Sequence, residues 1–205
     1  MTLSLKNKAM GVYIKCTVKN VRFVFVNVFE PDSFGGRDTY NVTCIINKKS
    51  PEIDTLRKAF EQAATEGKSI LGRTKVDFDN FLKDGNAVAE DWGDVFEDVL
   101  YFKAACDPQY GQPAVVKPNP ARFTDKNASM VIAFSDPQEF YAGCHGMVSI
   151  EFHPYSNVNT GITAILKAVC KTADGERLSS GSQSAEEAFG AAVDELPENT
   201  DDDVF

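Results

Sequence analysis

Most signatures of catalysis are missing from these 205 residues. There is no glycine-rich phosphate loop, no G-x-S-x-G elbow and no cysteine–histidine pairing with a local catalytic signature. Only two histidines occur, and although His145 adjoins Cys144, the four-ligand spacing of a zinc site is absent. The five cysteines (Cys16, Cys44, Cys106, Cys144, Cys170) are odd in number, widely spaced and without a C-x-x-C pair. They argue for reduced thiols in a cytosol-like compartment. No apolar run approaches the roughly 18 residues a membrane span needs, and MTLSLKNKAM lacks the apolar stretch of a secretory signal. The reading is a cytoplasmic protein with no membrane partner, no internal repeat, no cofactor and no enzymatic function.

Basic residues are missing from the last twenty-one positions, AEEAFGAAVDELPENTDDDVF. Eight of the chain's 30 acids fall there, which leaves residues 1–184 with 22 acids against all 21 bases. The net charge of -9 therefore belongs almost entirely to the tail. A segment so acidic and so poor in β-branched residues cannot bury enough apolar area to offset its ordering entropy, which predicts a disordered tail. Ser179–Ser182 reads as a hinge into it. Its simplest role is solubility; a sharper one is imitation of a polyanion that competes for a basic groove on the same protein, with Phe205 as a grip for partners. A second acidic stretch, Asp77 to Asp98, holds eight acids and only Lys83, so the rest of the body has 14 acids and 20 bases, enough to build a basic surface.

The body, residues 1–177, suits one domain, followed by a hinge and tail over 178–205. Gly11–Asn20 alternates, with Val12, Ile14, Cys16 and Val18 on one face, as a half-buried strand does. Val21–Phe29 is apolar on both faces and reads as a second strand ended by Glu30-Pro31-Asp32; Tyr40–Ile46 is another. Ser50-Pro51-Glu52 opens a helix whose apolar positions, Ile53, Leu56, Ala59, Phe60 and Ala63, recur at helical spacing up to Gly67. The acidic segment with Trp92 is expected to be irregular and exposed, and Asp107–Pro120 to be a loop around Val115-Val116. Val99–Ala105 and Met130–Phe134 are further strand candidates. Met147–Tyr155 and Ile162–Lys171 form a hairpin across Asn157–Gly161, with Lys167 and Lys171 expected on one face. The pattern is mainly β: a small OB-type barrel of five strands with one amphipathic helix, long loops and the acidic tail.

Outward positions on these strands combine bases with rings: Tyr13, Lys15, Lys19, Arg22, Tyr40, Tyr101, Lys103, His153, Tyr155, Lys167 and Lys171. Single-stranded nucleic acid calls for this mixture, since Lys and Arg neutralise phosphates while flat side chains stack on any base. The same residues also fit ordinary solvated decoration. Two rivals stay open: an acidic protein-interaction or DNA-mimic module, and a metal-dependent nuclease built on the Asp77–Asp98 acids. The latter's acids lie in one irregular segment, where a rigid metal site draws on several elements.

Several stretches in order carry a resemblance: Val28-Phe29-Glu30-Pro31, Ser50-Pro51-Glu52-Ile53, Leu82-Lys83-Asp84-Gly85, Tyr141-Ala142-Gly143-Cys144 running into Val148–Tyr155, Gly161-Ile162 and Leu178–Gly181. Together they resemble the phage-encoded single-stranded DNA-binding proteins with an OB fold and an acidic tail ending in Phe. The resemblance implies binding to single strands in phage replication, recombination and repair, often as a homodimer. It further implies a tail, with Asp201, Asp202, Asp203, Val204 and Phe205 at its end, that contacts DNA polymerase and helicase-primase. After Tyr101-Phe102-Lys103 the family pattern would place more bases, whereas this chain has Ala104-Ala105-Cys106-Asp107.

Overall fold

The computed structural model describes residues 11–34 and 36–178; the tail with Asp201, Asp202, Asp203, Val204 and Phe205, and the hinge from residue 179, lie outside the described residues. Among the described residues there are eight strands: β1 (Ile14–Phe34), β2 (Arg37–Asn47), β3 (Lys83–Asp84), β4 (Val99–Cys106), β5 (Ala114–Pro118), β6 (Val131–Ala133), β7 (His145–Ser156) and β8 (Thr160–Ala173). Helix α1 spans Glu52–Glu66.

β1 is one long strand where the sequence suggested two. Its first half pairs antiparallel with β7, from Ile14↔Phe152 to Arg22↔His145. Its second half pairs with β2, from Arg22↔Ile45 to Phe34↔Arg37. A register shift between Val18 and Val21, with Asn20 at φ 53, bends the strand between its two partners, as an extra residue in a ladder does. Pro31 is tolerated because the ladder to β2 is interrupted between Asn27 and Asp32. β2 then pairs with β4, and β7 with β8 across the expected turn. A parallel bridge between Ala105 of β4 and Ile165 of β8 closes the ring. The closed order is β1-β2-β4-β8-β7, a five-stranded barrel of the OB type.

The barrel interior is filled by alternate residues of these strands, among them Val18, Phe23, Val42, Cys44, Phe102, Ile150 and Phe152. α1 closes one end with its apolar stripe, Leu56, Ala59, Phe60 and Ala63, and the Phe60 ring sits 5.6 Å from Phe152 and 5.5 Å from Phe78. Ser50 opens the helix as expected, its hydroxyl accepting from the Glu52 N–H at 3.3 Å. All five cysteines are buried and unpaired. Burial pushes the Cys16 thiol up to about 11 and raises that of Cys44 as well, so the folded sulfurs stay protonated.

One expectation gives way and one is refined. The stretch expected as a loop contains β5, which pairs in parallel with β8 through Ala114↔Ala168 to Val116↔Cys170 and carries β6 on its outer edge. Val115-Val116 is too short for its period to show, and its partner lies some fifty residues away. The acidic segment is irregular and largely exposed, as expected, but it is an anchored flap and not a free insertion. It folds into short turns, with the one-turn helix Ala89–Trp92, and plugs Phe96, 0% exposed, onto the outer face of β1, β2 and β4. There Phe96 joins Val24, Ile45 and Tyr101 in a second small core, with Val88, Val95 and Leu178 packed around it. The acids face water while the apolar residues between them hold the flap down.

Candidate nucleic-acid interface

β4 and β8 run parallel but pair only at Ala105↔Ile165, and towards their N-terminal ends they diverge. The seam opens into a groove of about 370 Å³. One wall is Tyr101 and Lys103 of β4 with Lys83 of β3; the other is Thr160–Ala164 of β8 with Tyr155 of β7. Phe60, Phe81 and Phe102 form the floor, and Lys75–Asn80 supplies the rim.

The floor is an extension of the core. Phe81, half-buried, packs 4.9 Å from Phe152 and 5.3 Å from Phe102, so its ring is held in place while one side reaches the groove. The Tyr155 ring lies across Gly161, where an added Cβ would come within 3.1 Å of the phenol oxygen. Lys75, Lys83 and Lys103 are all exposed, so the mouth is cationic. The nearby Asp84 carboxyl is held below its ordinary range, chiefly by the Asn86 N–H and then by Lys48, whose Nζ lies 3.0 Å away. Asp77 turns its carboxylate to its own turn, accepting from the Asp79 N–H at 3.0 Å.

Of the residues singled out from the sequence, Tyr101, Lys103 and Tyr155 meet in this groove. Tyr101 is 7% exposed and serves two surfaces, one side packed under Phe96 and Trp92, the other facing the groove. Two residues before Tyr155 on the same face of β7, His153 stacks on Tyr13 with centroids 4.5 Å apart and planes at 12°. Its Nδ1 lies 2.9 Å from the Val12 carbonyl oxygen, which fixes the ring. Tyr13 is 51% exposed, and this stacked pair extends the aromatic surface from the groove towards Lys15. Lys15 and Lys19 are exposed on β1, and Lys167 lies 3.8 Å from Glu151.

Three others are placed elsewhere. Arg22 donates to the Gly143 and Glu176 carbonyls, both at 3.3 Å, and so straps the segment after β8 to the loop before β7. Tyr40 is half-buried against the main core. Lys171 does not share a face with Lys167. β8 carries a bulge opposite Ser149–Ile150 that makes Lys167 the extra residue, and this flips the phase of everything beyond it. Lys171, with 13% side-chain exposure, instead reaches the Glu139 carbonyl at 2.6 Å and Asp174 at 2.7 Å, its ammonium 4.5 Å from the Tyr141 ring centre. The other groove residues, Lys75, Asn80 and Phe81 on turns and Lys83 on the two-residue β3, lie in stretches too short for any periodicity to show. The one signal available was the pair of bases flanking Phe78 and Phe81.

Among the described residues, no three His, Cys, Asp or Glu side chains converge in a way that could hold a metal ion, and no helix is long and apolar enough to cross a membrane.

An OB-type barrel with a cationic groove and an aromatic floor on its wall is the architecture of an oligonucleotide-binding protein. The model of the family described as the ssDNA-binding protein of Enterobacter phage Enc34 matches residues 14–205, and the chain belongs to that family of non-catalytic phage single-stranded DNA-binding proteins. Among solved structures, it is similar to the single-stranded DNA-binding protein from bacteriophage Enc34 in complex with ssDNA, at TM-score 0.58 and 20% identity over 81% of this chain and 90% of that one. A second structure of the Enc34 protein superposes at TM-score 0.55 and 21% identity over 86% of this chain and 90% of the other. A search of curated proteins gives no match.

Proposed function

We propose that this protein coats single-stranded DNA with little sequence preference, laying the strand through the β4–β8 groove and on across Tyr155 and the His153–Tyr13 stack. The observation that carries this reading is the groove: three exposed lysines at its mouth suit phosphates, and rings at its floor suit bases. The solved complex of the Enc34 protein with ssDNA supports it by kinship. In this reading Lys15, Lys19 and Lys167 extend the phosphate path, while Arg22 and Lys171 hold the scaffold behind it.

The setting is phage replication, recombination and repair in the host cytoplasm. The acidic tail, residues 185–205, competes with DNA for the cationic groove and recruits replication proteins such as the polymerase and helicase-primase through Asp201–Phe205, and the working unit is a homodimer. Titration of a labelled oligonucleotide at two salt concentrations, with Mg²⁺ present in a parallel series, tests the reading. Salt-sensitive binding without cleavage supports it. Absence of binding would favour the acidic interaction module, and cleavage the nuclease.

A further inference from the structure

The groove has a property that a flat stacking platform lacks. From Thr160 to Ala164, β8 pairs with β7 on one side and with no strand on the other, because its bridge to β4 begins only at Ile165. In an antiparallel ladder every second residue turns its N–H and C=O away from the partner, so this stretch presents unused backbone donors and acceptors to the groove. On the opposite rim stands Asn80, which is exposed and has no side-chain hydrogen bond among the described residues. An amide and an open strand edge, lining one groove together with the Phe81 ring, match the alternating donors and acceptors on the edge of a nucleobase. The volume, about 370 Å³, lies near the lower end for ligand clefts and suits roughly one nucleoside.

We propose that the groove takes one base out of the bound strand's stack, seats it against Phe81 and reads its hydrogen-bonding edge with Asn80 and the open edge of β8. The bound strand then has one position of base preference inside a footprint that is otherwise sequence-tolerant. This rests on the single-strand reading above and adds to it a base-reading subsite. The lysines at the mouth hold the flanking phosphates, so the preference is superimposed on a charge-driven affinity and does not replace it.

The test compares dT, dA and dC oligonucleotides of equal length by fluorescence anisotropy, for the full chain and for Asn80→Ala. Homopolymers differ in their own stiffness, so the diagnostic is the change between the two proteins. Asn80→Ala should shift the ratio of affinities by roughly two- to tenfold, the worth of one net hydrogen bond, and leave the salt dependence unchanged. A scan of single abasic sites through a mixed-sequence oligonucleotide should show one position whose loss exceeds its neighbours'. Unchanged ratios in the variant, or uniform abasic losses, would overturn the base-reading pocket while leaving single-strand coating intact. Failure of the full chain to bind any of the oligonucleotides would overturn both. Asn80 is exposed, so a thermal melt should show the variant folded as the parent.

Discussion

Tyr155 offers the cleanest separation of binding from folding. Its ring lies over Gly161 at the groove wall and is half-buried, and its neighbours on that face are Gly161, Thr163 and His153 rather than core side chains. Truncation to Ala therefore opens no cavity in the barrel interior, and the stability cost should stay below about 1 kcal/mol. If the ring stacks on a base, its removal should cost on the order of 1 to 3 kcal/mol of binding, roughly a 5- to 150-fold rise in Kd. Anisotropy with a labelled oligonucleotide gives the first number and a thermal melt the second. Tyr101→Ala is the instructive contrast: at 7% exposure it also supports Phe96 and Trp92, so stability and affinity should fall together. An unchanged Kd for Tyr155→Ala in a protein of unchanged melting temperature would remove this ring from the strand's path and refute the placement of the groove.

Replacing Lys75, Lys83 or Lys103 with Ala should reduce the slope of log affinity against log salt by about 0.7 for each phosphate left without its lysine, read from titrations at several ionic strengths. Lys171→Ala should do the reverse: its ammonium is committed to Glu139, Asp174 and Tyr141, so the melting temperature should drop while the salt slope stays as it was. Acid should loosen the same region. Hydrogen bonds from Lys171 and Tyr141 lower the Asp174 carboxyl, and one from Lys117 lowers that of Glu139. Groups depressed in the folded state stabilise it above their unfolded pKa, about 4, and lose that contribution as pH falls through the native value. Melts at pH 7 and pH 3 should therefore differ less in Asp174→Asn than in the parent. Deleting residues 185–205 should tighten DNA binding at low salt and matter less as screening grows; equal affinities at low salt would leave the tail as a docking or solubility element alone.

The barrel was legible wherever one face of an element meets the core and the other meets water. Alternation marked β1 and β7, and the spacing of Leu56, Phe60 and Ala63 marked α1. What escaped was set by non-local geometry. The bulge that turns Lys171 away from Lys167 is a property of the β7–β8 pairing and leaves no trace in the residues of β8. The flap escaped because its anchors, Val88, Val95 and Phe96, lie on short turns with no period, and the acids around them dominate any reading of composition. The groove itself exists because two strands distant in sequence diverge, so its rim residues Lys75, Asn80 and Lys83 could not be grouped with Tyr155 before the chain was folded.

The five buried sulfurs make the barrel its own clock. A thiol that is shielded and held protonated reacts with a disulfide reagent only when its surroundings open, so the rate of labelling at each cysteine measures how often that part of the wall breathes. Cys144 and Cys170 sit at the end of the barrel where β7 begins, whereas Cys16 lies opposite Ile150 in the middle of the β1–β7 ladder. Modification rates read by mass spectrometry, site by site, would then rank the order in which the strands part, using only residues the protein already carries.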